Sequence, residues 1–155
     1  MRPLREFALT IEIDAPIEAV WSEIIDWQGQ SEWMLATRVY DDGESPEGIG
    51  HRLRAFTGLF AKRSRLIGVM DEMVVSQWQP PTFTRVEHTG KIIKGYGTFT
   101  LSTLGENRTR FDWFEEIDAP AVILVVIKIP TLLGVFISLR RFKKIVESKG
   151  FTSPR

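Results

Sequence analysis

The stretch PAVILVVIKIPTLLGVFISLRRFKK, Pro120 to Lys144, decides what kind of protein this is. A long apolar run ending in a basic cluster is the pattern of a membrane-spanning helix. It is also the pattern of a helix that closes over an apolar interior. Two residues within the run speak against spanning. Lys128 places a charge near its middle, and Pro130 removes a backbone donor and should kink the helix. The decision then falls to the residues that precede it.

Phe7, Leu9, Ile11 and Ile13 alternate with polar or small neighbours, as in a half-buried strand. Asp14-Ala15-Pro16 punctuates, and Ile17, Val20, Trp21, Ile24 and Ile25 follow at helical spacing. A shorter helical piece is expected over Gln30 to Met34, bracketed by Trp27 and Trp33. From Thr37 the period becomes two. Strands are predicted near Thr37–Asp41, Ile49–Thr57, Arg65–Trp78, Thr82–Thr89, Lys91–Leu104 and Arg108–Ile117. Gly43, Gly58, Pro80-Pro81, Gly90 and Gly105 mark the breaks between them. Short connections between consecutive strands imply an antiparallel meander. The fold class is α+β: a curved antiparallel sheet of about seven strands, two short helices after the first strand, and a long helix. The inner face of such a sheet needs a cover. Were the long helix withdrawn into a membrane, Phe99/Leu101 and Phe111/Trp113 would lie exposed, a larger apolar patch than soluble proteins carry. The segment is therefore read as a lid rather than an anchor.

Composition narrows the function. A chain of 155 residues is expected to form one domain, residues 1–150 with a tail at 151–155, and to bury roughly 70% of its unfolded surface. Twenty basic and twenty acidic residues balance, so no overall field favours nucleic acid. With no cysteine and two histidines far apart in sequence, no metal site built from protein ligands and no cofactor are expected. MRPLREFAL lacks the apolar core of a signal peptide, so a cytoplasmic location is expected. In that setting the sequon Asn107-Arg108-Thr109 stays unmodified.

Chemistry is sought on the inner face. By period two, Thr109, Phe111, Trp113, Glu115 and Ile117 share one side of the last strand, and Gly95, Gly97, Phe99 and Leu101 share one side of the strand before it. A tight turn near Gly105–Asn107 then sets Gly97 beside Glu115 and Phe99 beside Trp113. Glycines in a strand interior mark either space for a ligand or a twist in the sheet. If residue numbers paired across the hairpin at Pro80-Pro81 sum to about 159, Asp71 lies opposite His88, with Met73 and Val86 on the same face. The pair could orient or exchange a proton with a ligand, or it could be an ordinary cross-strand polar pair. Glu115 on an apolar face could act as a neutral donor, or be neutralised by Arg85, Arg110 or a ligand. Catalytic candidates are thus Asp71, His88 and Glu115, with no nucleophile and base for covalent chemistry. The expected lining is Trp33, Met73, Val86, His88, Gly95, Gly97, Phe99, Phe111, Trp113 and Glu115, with Leu124 and Leu132 from the lid. His51 reads as structural or exposed. Leu59 and Phe60, beside Lys62, Arg63 and Arg65, either touch an anionic membrane transiently or tuck under the lid.

Several stretches resemble a known superfamily. IEIDAPIEAVWSEIIDW, GIGHRLR, SQWQPPTFTRVEHTG, GYGTFTL, RTRFDWFEE and SLRRFKKIVE together are similar to the START-like, or SRPBCC, proteins, among them the polyketide cyclase/dehydrase-like members. The resemblance implies the helix-grip fold, with the kinked C-terminal helix over an apolar cavity that holds a small hydrophobic ligand. It implies no single reaction, because function resides in sites rather than in folds. The leading expectation is a carrier or sensor of a lipid, polyketide or isoprenoid-like molecule. An enzyme of cyclase, dehydratase or hydrolase type could use Asp71, His88 and Glu115 in the same cavity. A peripheral membrane or protein-partner module is the third reading. Nothing in these residues requires a second copy.

Overall fold

The alternating stretch near the start of the chain forms strand β1 (Glu6–Ile13), and Pro16 then opens helix α1 (Ile17–Ile25). Ile17, Val20, Trp21 and Ile24 are the buried residues of α1, the face that their spacing predicts. A one-turn helix α2 (Gln30–Trp33) precedes β2 (Thr37–Asp41), β3 (Arg52–Thr57), β4 (Val69–Gln79), β5 (Phe83–His88), β6 (Gly95–Gly105) and β7 (Arg108–Ile117). Helix α3 (Ala121–Ser148) follows. The computed structural model describes residues 5–41, 47–58 and 67–150. The Leu59-Phe60 loop with its basic flank, the break at Gly43, the start of the fourth strand at Arg65 and the tail 151–155 lie outside the described residues.

The seven strands form one antiparallel sheet in the order β1-β7-β6-β5-β4-β3-β2. Strands β2 to β7 run as a meander, and β1 joins the far edge beside β7. With two short helices after β1 and a long helix against the sheet, this is the helix-grip architecture. Strand β7 covers the predicted residues, but β3, β4, β5 and β6 start later than predicted. The third begins at Arg52 rather than Ile49, because Gly48 and Gly50, both at φ 90°, form a turn there. The sixth begins at Gly95 rather than Lys91, because Gly95 at φ 122° interrupts the extended run.

The cover is shared between helices. Trp33 of α2 meets the ring of Phe142 edge-on at 4.9 Å, Phe142 meets Phe111 at 5.6 Å, and Phe111 meets Phe99 at 5.6 Å. This chain of edge-to-face rings joins α2 and α3 to β7 and β6, each contact contributing about 0.5–1.5 kcal/mol beyond burial. Towards the other edge of the sheet, Trp21 packs on Trp78 at 5.1 Å and Trp27 stacks over His51 at 6.0 Å. His51 is buried, with Nε2 3.1 Å from Asp41, and serves the packing.

Helix α3 lies chiefly against β1. Leu124, Leu139, Phe142 and Val146 are buried in the core, whereas Ile127, Leu132 and Val135 between them are only half-buried although they pack on it. The polar fastenings gather in the second half of α3. The Leu35 amide donates to Ser138 Oγ at 2.8 Å, and Ser138 Oγ donates to the Gly134 carbonyl at 2.8 Å. Lys143 Nζ donates to the Glu12 carbonyl at 2.7 Å, and the Asp14 amide donates to Glu147 at 2.8 Å. Pro130 lies inside the helix without ending it. By length and composition α3 could cross a membrane. Its inward residues, however, are part of this domain's core, so it acts here as a lid.

Candidate functional site

Strand β5 ends at His88, which pairs with Met73 of β4 on one side and with Gly95 of β6 on the other. Asp71 lies two residues from Met73, on the same face of β4. The pairing expected across the Pro80-Pro81 hairpin sets Asp71 directly opposite His88. The turn instead sets Gln79 opposite Phe83, and the register shift between Val75 and Gln77 then brings Met73 opposite His88, leaving Asp71 at the diagonal position. The carboxylate still reaches: His88 Nδ1 lies 2.7 Å from Asp71 Oδ2.

On its other side His88 looks across β6. Gly97 pairs with Glu115 of β7 and with Val86 of β5, and Gly95 pairs with Ile117 and with His88. Neither glycine carries a side chain, so nothing on β6 stands between His88 and Glu115. His88 Nε2 lies 3.2 Å from Glu115 Oε1, a charge contact without the alignment of a hydrogen bond. The two glycines have different reasons. A Cβ on Gly95 would sit 1.9 Å from the Glu116 carbonyl oxygen, so the backbone itself demands glycine. A Cβ on Gly97 would meet only Phe114 O and Val86 Cγ2, both at 3.6 Å, so that position keeps open space rather than a special conformation.

The imidazole side chain is 4% exposed, and those of Asp71 and Glu115 are 11% and 19% exposed. Burial lowers the pKa of His88, but its contacts with Asp71 and Glu115 outweigh this and push it up to about 10. His88 is thus an imidazolium at neutral pH, and it is the cation that balances Glu115. Arg85 instead pairs with Glu87 and lies over the Tyr96 ring, and Arg110 pairs with Asp112. One polar atom of the cluster, Asp71 Oδ1, is buried without a partner, and His88 Nε2 meets only the poorly aligned Glu115 carboxylate. The two carboxylates contact different ring nitrogens, so they cannot converge on one metal ion, and no metal-holding group occurs among the described residues.

Around this trio, Met73 and Val86 flank His88, and Phe99 and Trp113 continue the inner face as a cross-strand pair. Deeper in, Phe111 and Trp33 are fully buried in the aromatic chain with Phe142, and Trp33 Nε1 is another buried polar atom without a partner. From the lid, Leu124 is fully buried and Leu132 half-buried. The sequence reading missed Phe7 and Lys128. Phe7 is fully buried and faces Glu115 in the β1–β7 register, and Lys128 Nζ lies 5.7 Å from its ring. The pairing of strands a hundred residues apart leaves no local signal. The described residues also line an open hollow of about 520 Å³ among Tyr40, Arg52, Leu53, Arg54, Glu72, Met73, Val74 and Thr89.

Comparison with known proteins agrees with this fold. No curated protein matches by sequence. Among solved structures, the Zhui aromatase/cyclase from Streptomyces sp. R1128 superposes with a TM-score of 0.73 at 15% identity, over 92% of this chain and 93% of its own. A START superfamily protein from Mycobacterium smegmatis gives 0.73 at 14% identity, over 94% and 99%. A protein from Thermus thermophilus gives 0.73 at 16% identity, over 94% and 99%. At such identities the likeness is one of fold, and it is the START-like fold. Residues 5–137 match the family described as polyketide cyclase / dehydrase and lipid transport, which spans β1 to the middle of α3, and the chain belongs to that family.

Proposed function

We propose that the protein binds a small, neutral, largely apolar molecule between the inner face of β4–β7 and helix α3, with hydroxyl or enol groups at the Asp71–His88–Glu115 end. The observation that carries this reading is the buried, unpartnered Asp71 Oδ1 and the poorly aligned contact of His88 Nε2 with Glu115, beside the open position at Gly97. Each buried polar group left unpaired costs about 1–3 kcal/mol, so a ligand that completes them gains that amount. A hydroxyl donates to the carboxylate oxygen and accepts from the imidazolium. A ligand carboxylate does neither well, because it meets two carboxyl groups and one cation. Burial of the apolar body against Phe99, Trp113 and the lid supplies most of the affinity.

The same geometry weighs against proton transfer. An effective general acid has a pKa near the working pH, whereas His88 is held at about 10 and keeps its proton. A role as carrier or sensor is therefore favoured over a cyclase or dehydratase. The test compares 2-naphthol with 2-naphthoate by their own fluorescence. The naphthol is expected to bind at least tenfold more tightly, and His88→Ala is expected to abolish the preference. Gly97→Leu, which fills the gap over β6, should remove binding of both. Equal affinity for the two probes, or unchanged naphthol binding by a folded Gly97→Leu variant, would overturn the reading.

A further inference from the structure

Helix α3 is apolar on the side that faces away from the domain as well as on the side that faces in. Val122, Val126, Ile129, Leu133 and Phe136 are 72%, 68%, 72%, 57% and 50% exposed. Their spacing of four and three residues aligns them in one stripe along about 21 Å of helix. An ordinary lid helix shows water a charged outer face. Here the outer face turns polar only at Arg140, which continues the same stripe with its guanidinium 5.9 Å from the Phe136 ring. Arg141 and Lys144 are exposed beside it. Between Asp118 and Glu147 the chain has no acidic residue.

We infer that this stripe docks on a bilayer containing anionic phospholipid, with α3 lying in the plane of the interface. The five apolar side chains enter the boundary between headgroups and acyl chains, and Arg140, Arg141 and Lys144 meet the phosphates. Charge selects this occupant over a second copy of the chain. Two α3 helices packed in parallel would bring both basic ends together, where Glu147 is already engaged by Lys143 and the Asp14 amide. Packed antiparallel, each basic end would lie over the other's first turns, where Asp118 already pairs with Arg5 at 3.0 Å. Docking does not require the helix to leave the domain. The exposed stripe and the buried residues Leu124, Leu139, Phe142 and Val146 lie on different sides of it. Nor does it depend on the ligand reading above, because no stripe residue belongs to the Asp71–His88–Glu115 cluster.

The experiment is co-sedimentation of the whole chain with vesicles of phosphatidylcholine containing 30% phosphatidylserine, and with phosphatidylcholine alone. Binding is expected to the anionic vesicles at low salt and to weaken as salt rises. Replacing Arg140, Arg141 and Lys144 together by Gln should weaken it roughly a hundredfold, about fivefold per charge. Ile129→Glu should weaken it at least tenfold while the protein stays folded by circular dichroism. Absence of binding to anionic vesicles at low salt overturns the inference. So does unchanged binding by Ile129→Glu, which would reduce the contact to charge alone. Sedimentation velocity supplies the remaining check: a monomer is expected, and a stable dimer dissociated by Ile129→Glu would show that a second copy covers the stripe.

Discussion

Raising the pH should destabilise this protein through one side chain. His88 binds its proton more tightly in the folded state, where Asp71 and Glu115 flank it, than in the unfolded chain, where a histidine titrates near 6.5. Between the two pKa values the native state carries the extra proton, so the free energy of unfolding falls as pH rises. The stabilisation is complete below about pH 6.5 and is lost by about pH 10. At 1.36 kcal/mol per pH unit, holding His88 at about 10 rather than 6.5 is worth of order 5 kcal/mol. That is a large part of the 5–15 kcal/mol typical of a domain. Urea unfolding followed by tryptophan fluorescence from pH 6 to 10 measures it, with the Asp71→Asn/Glu115→Gln double variant titrated in parallel. The difference between the two proteins isolates the cluster from tyrosines and lysines that titrate at the alkaline end. The wild type should lose stability steadily across the range. The variant keeps only the effect of burial, which lowers the pKa, so its stability should rise up to about pH 6.5 and then level off. A flat wild-type profile between pH 6.5 and 9.5, or the same slope in the variant, would refute the reasoning.

Other consequences are equally open to measurement. Gly97→Ala should cost less than about 1 kcal/mol, since its Cβ finds ordinary contact distances, whereas Gly95→Ala should cost about 1–3 kcal/mol or more through its φ of 122° and the Glu116 carbonyl; thermal melts distinguish them. Phe142→Ala removes a fully buried ring that touches both Trp33 and Phe111, and chemical denaturation should record a loss of about 3–5 kcal/mol. Ser138→Ala leaves the Leu35 amide without its acceptor and should cost about 1–3 kcal/mol, with faster hydrogen exchange at that amide as the local signature.

Much of the candidate site was legible in the sequence because it lies on strands joined by short turns. Period two assigned Glu115 and Gly97 to one face, and the short β6–β7 turn placed them side by side. It also placed Asp71 and His88 on a common face; the turn falls later than expected, with Gln79 opposite Phe83, and the bulge near Ser76, for which no residue is diagnostic, keeps the two on that face with Met73 opposite His88. What was not legible needs three strands at once. His88 reaches Glu115 across β6 only because two glycines remove the intervening side chains, so Arg85 and Arg110 were the plausible cations until the sheet was assembled. Phe7 and Lys128 escaped for the related reason that β1 adds to the far edge of the sheet. The lid reading of α3 was sound for half of its circumference. A helix that covers a sheet uses one side, and the sheet could never account for apolar residues on the other.

Pro130 separates two mechanical regimes in α3. It has no amide hydrogen, so the Val126 carbonyl lacks its usual partner within the helix, and bending at this point breaks one hydrogen bond fewer than elsewhere. The fastenings through Ser138, Lys143 and Glu147 all lie beyond it. The helix thus resembles a door hung along its C-terminal half, with the proline as its pivot and Leu124 as the latch. If a ligand binds as proposed, how firmly it is held and how quickly it is exchanged would depend on different residues: the former on the trio and the aromatic floor, the latter on the pivot. Pro130→Ala should stiffen the pivot, slowing both entry and exit in stopped-flow measurements while leaving the equilibrium affinity within about twofold.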